Sequence, residues 1–127
     1  MVQYKVEVPI KSSIPILYKC LATPSGLSEW FCDDVDYENN GTVFVFKWSD
    51  SEQRAEILEG TEEDYIRFRW LDHDPEEETY FEFKIQIDDI TGDVAVVVTD
   101  FCDEDEVEES QQLWESQIRD LAHNLGA

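Results

Sequence analysis

Apolar and polar residues alternate along most of this chain, and the period of the alternation changes three times. Tyr4, Val6, Val8 and Ile10 share one face against Lys5 and Glu7, the period of a half-buried strand. Ser12 and Ser13 then offer helix caps with Pro15 in the first turn, and Ile14, Leu17, Tyr18 and Leu21 recur at helical spacing. Thr23-Pro24-Ser25-Gly26 interrupts that helix, and Leu27 to Phe31 has room for only one or two further turns.

From Asp34 the period of two returns. Val35-Asp36-Tyr37 begins a meander, and Glu38-Asn39-Asn40-Gly41 supplies residues that accept positive φ in a tight turn. Phe44, Phe46 and Trp48 share one face of the next strand, with Val43, Val45 and Lys47 on the other. Gln53 to Leu58 reads as a polar, partly exposed strand, turned by Gly60 to Asp64. Tyr65 to Leu71 returns with Ile66, Phe68 and Trp70 on one side and Arg67 and Arg69 on the other. Asp72, Asp74, Glu76, Glu77 and Glu78 mark a solvated loop. Thr79 to Ile87 sets Phe81, Phe83, Ile85 and Ile87 against Tyr80, Glu82, Lys84 and Gln86, and Thr91-Gly92-Asp93 turns the chain into Val94 to Cys102.

The last change of period is to a helix. Asp103-Glu104-Asp105-Glu106 opens it, with Asp103 or Asp105 placed to cap its free amides, and Trp114, Ile118, Leu121 and Leu125 follow at spacings of four, three and four. A helix with one such stripe must lie against something, and the preceding strands offer the surface. The fold class expected is α+β: a curved antiparallel β-sheet wrapped around a long C-terminal α-helix, with two short helices after the first strand. No linker, repeat or low-complexity tract divides the chain, so residues 1–127 read as one domain.

Composition narrows the function classes. A chain of 127 residues buries about two thirds of its unfolded surface, enough for a core without staples. Nine basic against 31 acidic residues give a formal net charge of −22, which repels phosphate backbones and anionic membranes and excludes nucleic acid as a partner. Four Trp, five Tyr and seven Phe argue for a folded, soluble acidic protein rather than a disordered one. Cys20, Cys32 and Cys102 form no metal-binding spacing and are expected to be free, mostly buried thiols. No basic flank or long apolar stretch marks a signal peptide, and no window approaches the roughly 18 apolar residues needed for membrane insertion. The expected compartment is the cytoplasm, where the sequon Asn40-Gly41-Thr42 is accidental.

The element order, together with two local motifs, resembles the helix-grip fold of the START-like superfamily (SRPBCC). Pro24-Ser25-Gly26-Leu27-Ser28-Glu29-Trp30-Phe31 is similar to the Pro-x-x-Leu-x-x-Trp-Trp segment of homologues of the heat-shock protein 90 ATPase activator. Leu113-Trp114 with Ile118, Leu121 and Leu125 resembles their Gly-Trp-x-x-x-Leu-x-x-Leu helix. Leu113 stands where that family usually has Gly, and Phe31 where it often has Trp. The resemblance implies an apolar cavity between the long helix and the concave sheet, used across the superfamily for hydrophobic molecules.

The candidate lining of such a cavity is Trp30 and Phe31, then Phe44, Phe46 and Trp48, then Phe68 and Trp70, then Phe81 and Phe83, with Trp114 and Leu121 from the helix. Burial of each such side chain contributes roughly 1.5–3 kcal/mol, so the same residues read equally as a filled core. Arg54, Arg67 and Arg69 could pair with a ligand carboxylate, but alternation sets Arg67 and Arg69 opposite Phe68 and Trp70, where surface pairing with Glu or Asp is the simpler expectation. Asp72-His73-Asp74 has ligand chemistry without a metal-binding spacing, and His123 suits a helix end, so no metal and no cofactor are expected. No Gly-x-Ser-x-Gly, Ser-x-x-Lys or Cys/His arrangement supports catalysis. The leading expectation is a non-enzymatic domain that binds a small hydrophobic molecule. Its rivals are an interaction module, co-chaperone-like, whose acidic surface meets a basic protein partner, and a cyclase-like or hydrolase-like enzyme.

Overall fold

The computed structural model describes residues 1–72 and 78–126. The acidic loop expected from Asp72 to Glu78, and the Asp72-His73-Asp74 metal reading, therefore lie largely outside the described residues.

Alternation becomes one antiparallel sheet of seven strands: β1 (Val2–Pro9), β2 (Asp34–Glu38), β3 (Val43–Trp48), β4 (Ser51–Thr61), β5 (Tyr65–Trp70), β6 (Phe81–Ile87) and β7 (Val94–Cys102). Their spatial order is β1-β7-β6-β5-β4-β3-β2, a meander in which β7 folds back beside β1. The inward set of β1 is buried as the alternation requires, at Tyr4, Val6 and Val8. It is matched across the ladder by Asp100, Val98 and Val96 of β7.

Two short helices close one end. In α1 (Ile14–Ala22) the Ser13 hydroxyl accepts from the Ile16 N–H, Pro15 sits in the first turn, and Leu17, Cys20 and Leu21 are buried. Thr23 ends α1 and caps α2 (Pro24–Leu27), its Oγ1 donating to Lys19 O at 2.6 Å and accepting from Gly26 N at 3.1 Å. Gly26 lies against the Lys19 and Cys20 backbone, where a side chain has no room.

Two local readings change in three dimensions. The strand expected over Gln53 to Leu58 extends to Thr61: a register shift between Ile57 and Glu59 leaves Leu58 bulged, and Gly60, expected in the turn, pairs with Ile66. The chain reverses after it, with Glu63 at φ 64°. Second, neither Asp103 nor Asp105 caps the terminal helix. Glu104–Glu106 forms a 3₁₀ turn leading into α3 (Val107–Asn124), and no side chain makes a cap hydrogen bond there. The carboxylates still face the positive end of the helix dipole, which is the part of their role that survives. Val43 and Val45 keep the face expected for them, opposite Phe44 and Phe46, and are buried there. Asp36 and Arg54 flank Val45 on that outer face, and the Lys47–Asp36, Arg54–Glu38 and Arg54–Glu52 ion pairs roof it.

The turn between β2 and β3 behaves as its residues predict, with Asn39, Asn40 and Gly41 at φ 51°, 58° and 86°. Helix α3 then lies across β1 and β7 with Trp114, Ile118 and Leu121 buried. Leu125, the last residue of the expected stripe, is the C-cap and is half-buried.

Candidate functional site

The concave side of the sheet and α3 enclose an aromatic cluster. Every one of the eleven candidate residues falls in it. Trp30, Phe31, Phe44, Phe46, Phe68, Phe81, Phe83, Trp114 and Leu121 are buried, and Trp48 and Trp70 are half-buried against them. Phe31, delivered by the segment after α2, is the hub. Its ring stacks on Trp114 with centroids 5.7 Å apart and planes 5° apart, and meets Phe46 edge-on at 5.2 Å. On the sheet, Phe81 lies between Phe68 at 5.0 Å and Trp70 at 4.8 Å. These separations are those of rings in van der Waals contact, so with α3 seated the aromatic side chains largely fill the space they line.

The indole N–H groups of Trp30, Trp48 and Trp114 each find an acceptor, as buried polar atoms must. Trp30 donates to Cys20 O at 2.7 Å and Trp48 to Phe31 O at 3.2 Å, which tie the post-α2 segment to its neighbours. Trp114 donates to Asp100 Oδ2 at 2.9 Å, and Tyr4 O–H to the same oxygen at 3.3 Å. Asp100 Oδ1 accepts from the Phe101 N–H at 2.8 Å. Burial and then the neighbouring Asp100 charge push the Tyr4 phenol well above its ordinary value, so it stays a neutral donor. Gln111 donates to Lys5 O and Asn124 to Glu29 O, so side-chain hydrogen bonds pin α3 along its length.

Asp100 is the residue that reasoning from the sequence missed. A signal was present: it shares the parity of Val96 and Val98 in β7, which puts a carboxylate among inward-facing apolar positions. Thr79 was missed as well. Its Oγ1 is buried with no hydrogen-bond partner among the described residues, and Thr79 lines, with Met1, Trp70, Tyr80, Asp100 and Phe101, a recess of ≈ 10 Å³.

Two broader depressions lie elsewhere. One of ≈ 560 Å³ is bordered by Glu7, Pro9, Lys11, Gln86, Asp88 and Ala95, and one of ≈ 630 Å³ by Asp36, Val45, Lys47 and Arg54. The arginines do face outward: Arg67 binds Glu82 through Nε and Nη2 at 3.1 and 2.9 Å and rests on the Tyr80 ring at 4.1 Å. Cys20, Cys32 and Cys102 are free and buried. Burial holds Cys20 above its ordinary value and pushes Cys32 up to about 11, which leaves both as unreactive thiols. Carboxylate oxygens of Asp103, Asp105 and Glu106, all three exposed, lie within 4.8 Å of one another. Among the described residues no helix is long and apolar enough to cross a membrane.

With this geometry in view, the family model of the START-like superfamily domain matches residues 1–127. The chain belongs to the START-like superfamily. No curated protein matches it. Among solved structures, BfR322 from Bacteroides fragilis is 31% identical, with 98% of this chain and 90% of that one covered and a TM-score of 0.68. The Aha1 dimer from Colwellia psychrerythraea is 18% identical over 96% of this chain and 94% of that one, with a TM-score of 0.76. It shares the fold, in keeping with the resemblance to the heat-shock protein 90 ATPase activator. DynU16, from the dynemicin biosynthetic locus, is 18% identical with a TM-score of 0.79, covering 98% of this chain and 47% of that one.

Proposed function

We propose that this START-like domain holds a small hydrophobic molecule between α3 and the concave face of the sheet. The observation that carries the reading is the continuous aromatic wall under α3, from Trp48 and Phe46 through Phe81 to Trp114. Such walls with a few placed polar groups suit apolar ligands. Because the rings fill the space when the helix is seated, admission of a ligand requires α3 to lift from the sheet, carrying Trp114 away from Phe31. Side-chain hydrogen bonds from Gln111, Trp114 and Asn124 resist that motion. The four tryptophans provide the readout. Native mass spectrometry of freshly purified protein and titration with neutral apolar compounds should show retained mass or a saturable fluorescence change. A chain that carries no extra mass and answers none of the compounds refutes the reading.

The filled interior favours a second reading, in which the outer surface does the work. Exposed Glu104, Glu106 and Glu108 at the start of α3 would dock a basic protein partner. A salt-sensitive pull-down that is lost in the Glu104→Gln, Glu106→Gln, Glu108→Gln variant supports it, and retention of binding in that variant rejects it.

A further inference from the structure

We propose that the recess between Trp70, Thr79 and Asp100 is an anchoring subsite that selects apolar molecules ending in an ammonium group. The proposal rests on the ligand-binding reading above and names the chemistry of the ligand's polar end. Trp70, Thr79 and Asp100 are among the residues that line the recess, and each is of a type that an ammonium uses. The Thr79 hydroxyl is a buried acceptor without a hydrogen-bond partner among the described residues, a state buried polar groups almost never keep. The Asp100 carboxylate supplies the opposite charge and is held in place by Trp114, Tyr4 and the Phe101 amide. The Trp70 indole is an aromatic wall of the kind that attracts cations.

Size and field point the same way. The recess, ≈ 10 Å³, admits a group the size of a water and no ring or branched head. Trp70 borders the recess and also stacks on Phe81 at 4.8 Å, so the apolar remainder of a ligand would run along that ring into the aromatic cluster under α3. A terminal carboxylate would meet Asp100 and a chain of net charge −22, whereas an ammonium is attracted by both. A neutral alcohol satisfies Thr79 but gains nothing from the charge.

The probes are octylammonium, 1-octanol and octanoate, titrated by calorimetry and Trp fluorescence against the full chain. Octylammonium should bind about tenfold or more tighter than 1-octanol, with octanoate weakest. Thr79→Val keeps the side-chain shape and should fold at least as well as the parent, yet lose that preference; Asp100→Asn should lose it too. Asp89→Asn, a change of surface charge alone, should keep it. Equal affinities for octylammonium and 1-octanol, or a preference that survives in Thr79→Val, would overturn the subsite while leaving the hydrophobic-ligand reading standing. Failure of all three probes would overturn both.

Discussion

Replacing Trp114 by Phe removes a single N–H donor and trims the ring, while the side chain can still stack on Phe31. In the native chain that N–H meets Asp100 Oδ2 at 2.9 Å in a part-buried setting. Hydrogen bonds to charged groups contribute about 1.5–3 kcal/mol, and a carboxylate that loses one of its donors in such a place forfeits most of that. Trp114→Phe should therefore destabilise the domain by about 2–3 kcal/mol, the smaller ring adding a packing loss to the lost bond. Asp100→Asn removes the charge that strengthens both the Trp114 and Tyr4 bonds. The informative quantity is the coupling between the two changes: urea unfolding of the parent, both single variants and the double variant, followed by circular dichroism, should give an interaction energy of about 1–2 kcal/mol. Effects that add to within about 0.3–0.5 kcal/mol would refute the reasoning, because α3 would then be seated by ring packing on Phe31 and Phe83 alone.

The other expectations concern the closed end of the sheet and the buried thiols. Gly26→Ala drives a methyl group into the Lys19 and Cys20 backbone, so it should lower the melting temperature far more than Ser25→Ala next to it; equal melting temperatures would count against the close α1–α2 approach. Cys32 titrates near its ordinary value of 9.0 when unfolded but at about 11 when folded, so the unfolded chain loses its proton first. The contribution of this thiol is complete below about pH 9 and is lost as the pH rises to about 11. Urea midpoints measured from pH 8 to 11 should fall over that window, less steeply in Cys32→Ala, and a flat profile in the parent would contradict the buried thiol.

Much of the architecture was legible in the chain because side-chain direction follows from period alone. A period of two put Tyr4, Val6 and Val8, and likewise Phe81, Phe83 and Ile85, on buried faces, and the structure buries them. Ser13 and Pro15 located the start of α1, and the Trp114, Ile118 and Leu121 stripe located the face of α3 that meets the sheet. Period says nothing about small irregularities of pairing, so the bulge at Leu58 that draws Gly60 into β4 was out of reach. Nor does it say what covers an outer face, so the burial of Val43 and Val45 on the side that carries the Lys47 and Arg54 ion pairs was out of reach. Asp100 illustrates the same limit: its parity was readable, but Tyr4 and Trp114 lie 96 and 14 positions away along the chain, and only the β1–β7 pairing and the seat of α3 bring them to one oxygen.

The order of residues thus determined the strands, the helices and which of their faces turn inward, since each depends on neighbours a few positions apart. The tertiary structure decided how far apart those faces stand. Ring-to-ring distances across the interior depend on sheet curvature and helix seating, so only the folded chain could show Phe31 stacked on Trp114 and Thr79 lining one recess with Asp100.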